Sequence, residues 1–364
     1  MRRRALAAVL LAATFTLVAC GGGNSNETTQ QAAAVNGYTS HDQLVQAALK
    51  EGEVTIVTSL EDSTNQDIAK AFQTKYPGIK VNISQEQNDG GQRVLLTLQA
   101  GTDDADLMHV DLADYKSFFP YLENIDLDKL TKAGVITVPA GMVDPDHPDV
   151  MALGSGLGAI AWNKQMLPDD QVPNTWEDFL KPQYKGQFIA NIEANNIAIL
   201  REAWGQDKVN QFAKDLLAQN PVWTDSDTTG LTAMVAGEHP LYIANNYHSA
   251  YRIYKKSPDK IGIKLLEPIP TNGTQQVAIR KGAKHPAAAL LFEEFAATED
   301  AQQYIDNDEP AQGSVFVKGD MLYNLTQGKQ LALVSWKDFV DLDAWSKEIQ
   351  GIWGFPTAQI TKKK

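Results

Sequence analysis

Cysteine is nearly missing from this chain: among 364 residues there is one, Cys20. A single thiol excludes an intramolecular disulfide, a cysteine-rich zinc site and an iron–sulfur cluster. Base is also short, with 32 Lys and Arg against 45 Asp and Glu and a net charge of −13. Phosphate backbones are held by clustered Lys and Arg, so nucleic acid is excluded as a partner. The longest basic runs, Arg2 to Arg4 and Lys362 to Lys364, lie at the two ends. After residue 19 no apolar run approaches the roughly 20 residues that a bilayer span requires. Gly-x-Ser-x-Gly, His-Glu-x-x-His and Gly-x-x-x-x-Gly-Lys-Ser/Thr are all lacking, which removes the plainest signatures of a hydrolase, a zinc protease and an NTPase. What remains, 43% hydrophobic and 21% charged residues, is an ordinary globular composition of a length that suits two average domains or one large one.

The N-terminus carries an address. Arg2, Arg3 and Arg4 precede the uncharged stretch Ala5 to Ala19, the form of a secretory signal peptide and too short for a comfortable span. The stretch ends Leu17-Val18-Ala19-Cys20, which resembles the lipobox of bacterial lipoproteins. That resemblance implies cleavage before Cys20 and a diacylglycerol on its thiol. The expected product is an extracytoplasmic protein, lipid-anchored to the membrane at Cys20 and facing the periplasm or the cell surface, depending on the envelope. Residues 20–37, small and polar, are expected to be a flexible tether.

From Tyr38 the pattern alternates. Ser40 and Gln43 form a capping box for a helix that stops at Gly52. Strands are expected at 54–57, 79–83 and 105–110, with helices at 64–75 and 93–100 between them, the pattern of a parallel sheet covered by helices. Residues 111–148 are loop-rich. A second α/β stretch follows, with strands at 159–162, 187–191 and 241–244 and a helix from Thr175. Further helices are expected at 196–204, 207–218, 228–236 and 247–255. Strands at 261–265 and 275–279 come next, then a helix opening at Pro286. Its apolar residues Ala288, Leu291, Phe292 and Phe295 mark a face packed on a core.

Gly154-Ser155-Gly156-Leu157-Gly158 precedes a strand, whereas a dinucleotide fingerprint follows one and opens a helix; it is expected to be a loop. The six histidines show no metal-ligand spacing among themselves. Only His248 stands in a polar cluster of interest, Asn245-Asn246-Tyr247-His248 after the apolar Leu241 to Ala244. This places hydrogen-bonding groups at the carboxyl end of a strand, where open α/β sheets bind ligands. A polar loop capping the next helix is the other explanation.

Several segments in one order then carry a resemblance: Glu53 to Ser59, Phe72 to Val81, Leu98 to Asp106, Ala159 to Lys164, Pro173 to Gly186, Ala236 to Glu238 and Lys284 to Phe295. Together they resemble the extracellular solute-binding proteins of ABC importers, in the branch of ferric-ion-binding proteins. The resemblance implies an α/β, two-lobed periplasmic-binding-protein-like fold (type II) with a ligand cleft between lobes that close by a hinge. Lobe 1 would comprise 38–115 and 262–320, and lobe 2 would comprise 116–261. Residues 321–364, expected to be helical, could lie on either. The implied partners are a small-molecule or metal-ion ligand, an ABC permease and its ATPase, with the receptor a monomer and no enzyme.

In the ferric branch Asn-Asn-Tyr-Tyr supplies two phenolates to Fe(III). Here Tyr247 stands at the first and His248 at the second, a departure that bears on iron itself. Two further family ligand positions fall on Asp62 and Asp111. Those four would offer three oxygens and one nitrogen to a hard or borderline cation. Alternatively Asp62 caps a helix and His248 bonds an organic ligand. Asn245 matches a family asparagine that contacts the synergistic anion. Ser59, Asn195, Asp227 and Thr228, near strand ends and helix starts, are further ligand-facing candidates, and Arg93 is a candidate anion clamp. The leading expected cargo is Fe(III), free or with a synergistic anion. A small organic anion such as a phosphonate comes next. A secreted carboxylate-dependent hydrolase is a remote third, and an adhesin or sensor on the same fold is a fourth.

Overall fold

The structure, a computed structural model, describes residues 36–86, 91–112, 114–308 and 311–355. The expected signal peptide, Cys20 and most of the tether lie outside the described residues. Helix His41–Glu51 opens where the sequence places it: the Ser40 hydroxyl accepts from the Gln43 N–H, and Gly52 ends the helix at φ 76°. The return bond of the capping box runs from Thr39 N to the Gln43 side chain, not from Ser40.

Apolar alternation produces β1 (Glu53–Thr58), β2 (Lys80–Gln85) and β3 (Leu107–His109). They pair in parallel in the order β2-β1-β3. Helix Asp62–Lys75 covers them, and its Phe72 meets Phe292 and Phe295 of helix Pro286–Ala296 with ring centroids 5.3 and 5.5 Å apart. These residues, with Leu44, Ile56 and Leu291, form the first core. The expected cap role of Asp62 is not seen: Glu61 holds the N-cap position, with no side-chain bond to the helix, and Asp62 is the first helical residue.

β4 (Val150–Asn163) is the longest strand, and it contains Gly154 to Gly158, expected to be a loop. The glycines fall at i, i+2 and i+4, one face of a strand, and that face is crowded. A Cβ would stand 2.2 Å from the Gln312 carbonyl oxygen at Gly154, 2.7 Å from Asn272 Oδ1 at Gly156 and 2.8 Å from Pro270 at Gly158. The glycines mark close approach of neighbouring chain, as strand glycines do.

β5 (Phe188–Asn191), β6 (Val222–Thr224), β7 (Leu241–Asn246), β8 (Ile261–Lys264), β9 (Ile269–Ile279) and β10 (Leu331–Leu333) complete the order β2-β1-β3-β9-β4-β7-β5-β6, with β8 on β4 and β10 on β9. Three expectations are corrected. The helix from Thr175 is a single 3-10 turn, Glu177–Leu180, because Asp178 turns back to accept from the N–H groups of Asn174 and Thr175. The helix at 196–204 is two, Asn195–Ile199 and Arg201–Trp204. β9 begins at Ile269, six residues before the expected start, since Pro270 and Gly273 hide its pattern.

β4 and β9 pair antiparallel from Val150↔Ala278 to Leu157↔Thr271. Their other neighbours differ: β9 joins β3 at Val277 to Ile279, and β4 joins β7 and β8 beyond Leu157. The two strands therefore cross from one half of the sheet to the other, the architecture of a two-lobed binding protein. The second core holds Trp176, Phe179, Phe188 and Leu216. Residues 321–364 are not all helical, since β10 lies among them. Helix Leu342–Trp353 packs on the second core through Ile349 and Trp353, whose indole N–H donates to the Ala213 carbonyl at 3.0 Å. Among the described residues no helix is long and apolar enough to cross a membrane.

Candidate functional site

A cleft of about 620 Å³ lies where the crossing strands pass between the lobes. His109 and Asp111, at and beyond the carboxyl end of β3, line it from lobe 1. Asn195 and Asn196 at a helix start and Asn246 at the end of β7 line it from lobe 2. Asn272 to Gln276 of β9 form the floor, and Phe339, Val340, Leu342 and Asp343 complete it. The lining so described has two carboxylates and no Lys or Arg.

Local chemistry positions these groups. Gly91, at φ 74°, precedes helix Gln92–Ala100 and donates its N–H to Glu86 Oε1 at 2.9 Å. A Cβ there would lie 2.6 Å from Asp111 Cβ, so the glycine lets the helix start against Asp111. His109 is 8% exposed, with Nε2 3.6 Å from Glu86 Oε2. Burial pulls the His109 pKa down, against the opposing pull of Asp111 and the Gln276 backbone.

On the other lobe, Asp227 ties three elements together. Its carboxylate accepts from Tyr242 OH at 2.6 Å, Asn191 Nδ2 at 3.0 Å and the Asn246 N–H at 2.8 Å. Burial and that carboxylate hold the Tyr242 phenol protonated, far above its ordinary pKa. Asn196 Nδ2 donates to the Ala244 carbonyl at 3.0 Å and to Asn246 Oδ1 at 3.1 Å. Asn195 Oδ1 accepts from Ser346 Oγ at 2.7 Å.

Of the four metal-ligand candidates, Asp111 alone is among the cleft-lining residues. Asp62 is exposed at the start of its helix, next to Glu61. Glu61 pairs with Arg252 across the lobes. Arg252 lies one helical turn after His248, so that pair stands beside Asp62 in sequence and near His248, while neither Asp62 nor His248 is among the cleft-lining residues. Burial, then Arg252, lowers the His248 pKa and keeps the imidazole neutral. Tyr247 is 8% exposed and packs against Leu157, Ile269 and Val315; burial, then Tyr251 and Tyr254, raises its pKa to about 12. Among the described residues no three His, Cys, Asp or Glu side chains are grouped to hold a metal ion.

Of the remaining candidates, Asn195 lines the cleft and Asp227 lines an adjoining crevice of about 20 Å³, its carboxylate already engaged. Asn245 is fully buried, its Nδ2 donating to the Tyr242 carbonyl at 3.3 Å and its Oδ1 without a partner among the described residues. Ser59 follows the end of β1. Thr228 and Arg93 are exposed near the starts of their helices. Sequence reasoning passed over His109 and the β9 amides, and reached Asn246 only as part of the Asn245 to His248 cluster. The spacing His109-x-Asp111, which puts both on one side of an extended chain, was the available signal for the first.

The comparisons follow the geometry. A family model described as bacterial extracellular solute-binding protein matches residues 58–303. The iron uptake protein A2 of Synechocystis is 27% identical over 157 residues, 36% of this chain and 43% of that protein; the chain thus aligns with less than half of that relative. Among solved structures, the Trichodesmium IdiA (FutA) complex with iron and citrate has a TM-score of 0.66 at 19% identity, covering 84% of this chain and 100% of that one. The Bordetella ferric binding protein has a TM-score of 0.67 at 18% identity, covering 83% and 99%. AfuA of Actinobacillus pleuropneumoniae, with fructose-6-phosphate bound, has a TM-score of 0.52 at 22% identity, covering 83% and 97%.

Proposed function

The chain belongs to the bacterial extracellular solute-binding proteins, and from that premise we propose that it captures ferric iron for an ABC importer and presents the closed form to a permease and its ATPase. The observation that carries this reading is the charge of the cleft: among the described residues Asp111 and Asp343 line it and no Lys or Arg does. Opposite charge attracts cargo into a low-dielectric cleft and like charge repels it. Such a lining suits a cation, or a complex in which Fe(III) neutralises its anion, better than a free phosphonate.

Fe(III) is hard and takes oxygen donors. Asp111 supplies one from lobe 1. Asp62 and the neutral His248 imidazole stand near the pair of Glu61 with Arg252 that links the lobes, and Tyr247 supplies a phenolate once its proton leaves. A hinge can assemble a ligand set that the lobes hold apart. The remaining positions go to a synergistic anion, held by Asn195 and its neighbouring amides. Anchoring through acylated Cys20 and action as a monomer belong to the same proposal, the first supported by Leu17-Val18-Ala19-Cys20.

The test uses chelator-stripped protein titrated with ferric citrate. Saturable binding that raises the melting temperature and weakens at least tenfold in Asp111→Asn is expected. A phenolate-to-iron charge-transfer band lost in Tyr247→Phe would make Tyr247 a ligand. If no ferric complex binds and an organic phosphate or carboxylate raises the melting temperature instead, iron is not the cargo.

A further inference from the structure

One wall of the cleft comes from neither lobe's sheet. β10 pairs with β9 from Leu331↔Ile269 to Leu333↔Thr271, and the Val334 N–H then donates to the Thr271 carbonyl at 2.9 Å. The chain continues through helix Trp336–Phe339, whose Trp336 and Phe339 pack on the lobe 1 cluster of Val94, Met108 and Val110. Three residues after Phe339, Leu342 packs on the lobe 2 core. Residues 336–343 are thus a strap from one lobe to the other, and Phe339, Val340, Leu342 and Asp343 face the cleft along it. Leu112 and Ile199 continue the same wall. Val340 is 41% exposed, an apolar side chain left uncovered beside a ring of amides.

A bare ion in a shell of a few donor atoms has no use for hydrocarbon. The cleft volume of about 620 Å³ falls in the range of sites that enclose organic ligands, which combine apolar lining with a few placed polar groups. Building on the ferric reading above, we propose that the strap selects the cargo: iron enters as a 1:1 chelate whose organic ligand lays a hydrocarbon face on Phe339 and Val340 while its polar atoms meet Asn195 and Asn272. The charge of the lining agrees, because a 1:1 complex of Fe(III) with a singly charged chelator stays positive and keeps coordination positions open for Asp111.

A matched pair of probes tests this. Ferric acetohydroxamate and ferric benzohydroxamate, each prepared 1:1, share the chelating group and differ in the hydrocarbon attached to it. Full-length protein, followed by tryptophan fluorescence, is expected to bind the benzo complex about tenfold more tightly. That ratio should fall about fivefold in Val340→Asn, whose exposed position leaves the melting temperature unchanged, and should vanish in Phe339→Ala but persist in Phe339→Leu. Equal binding of the two probes by the wild type, or a ratio untouched by Val340→Asn, would overturn the role of the strap. If ferric citrate binds while the ratio is one, the strap inference alone fails. If neither hydroxamate nor citrate complex binds, the ferric reading fails with it.

Discussion

Asp227→Asn is the substitution that best separates a framework role from a ligand role, because both oxygens of that carboxylate accept from identified donors. Asp227 is 9% exposed. Its Oδ1 takes Tyr242 OH at 2.6 Å and Asn191 Nδ2 at 3.0 Å, and its Oδ2 takes the Asn246 N–H at 2.8 Å. An amide of the same shape can keep Oδ1 as acceptor but presents an NH₂ to the Asn246 N–H, donor to donor. Leaving that buried N–H unpaired costs about 1–3 kcal/mol, and the two surviving bonds each lose about 1 kcal/mol with the charge. The total, about 4 kcal/mol, corresponds to a fall in melting temperature of about 5–6 °C for a chain of this size. Circular dichroism melts at pH 7 measure it, with Thr228→Ala, exposed on the same helix, as a control that should stay within about 1 °C. The same variant should also bind cargo less well, since Asn246 lines the cleft. An unchanged melt combined with lost binding would refute the framework assignment and make Asp227 a direct ligand.

Gly154→Ala should destabilise by about 2–3 kcal/mol, because its Cβ would lie 2.2 Å from the backbone oxygen of Gln312, which cannot swing aside as a flexible side chain could; urea titration checks it. His109→Gln tests the buried imidazole through pH. Burial sets the folded pKa of His109 below its unfolded value of about 6.5, so as pH falls through that value the unfolded chain takes the proton first and the wild type loses stability. The difference in melting temperature, variant minus wild type, should therefore grow between pH 7.5 and pH 5.5, and a constant difference would remove the effect. Arg252→Gln breaks the pair with Glu61 that links the lobes. Both side chains are over two-fifths exposed, so stability should change by less than about 1 kcal/mol, while small-angle scattering should report a larger radius if the pair helps hold the lobes together.

Where the sequence was legible, one period dominated a whole element. The first three strands and the helices between them were placed to within two residues, because each apolar face has one core to meet. Helix Pro286–Ala296 was read as core, and every residue in it after Pro286 is buried. Legibility failed where tertiary contact overrode local pattern. The glycines of β4 look like a loop until the chain beside them is known. β6 is three residues long and half-buried, too short to show a period. The site was harder still. Asn195 and Asp111, named from the sequence, line the cleft, but Asn272 to Gln276 are polar residues in a crossing strand and have no signature of their own. The strap lies more than sixty residues beyond β8 in sequence, and nothing in Trp336 to Asp343 announces that it faces His109.

Backbone strain ties these observations together. Ala194, Ala244 and Gln275 adopt φ of 61°, 53° and 59°, a left-handed region that residues with a Cβ enter at a cost of about 1–3 kcal/mol each. Each stands on an element that faces the cleft: Ala194 before Asn195, Ala244 before Asn245 and Asn246, and Gln275 within β9. Such conformations persist where surrounding contacts over-determine them, and here one side chain bonds the backbone of one of the three and stands two residues from another. Asn196 follows Ala194 by two residues and donates to the Ala244 carbonyl at 3.0 Å and to Asn246 Oδ1 at 3.1 Å. Its amide thereby couples the helix start carrying Asn195 to the strand end carrying Asn246. Opposite it, Ser346 of the C-terminal helix fixes the Asn195 oxygen, so the helix that anchors the strap also orients an amide in the cleft. A site held in this way is ordered before cargo arrives, and less of the binding free energy is lost in arranging it. On the reading proposed above, cargo preference rests on these held amides and on the strap facing them across the cleft.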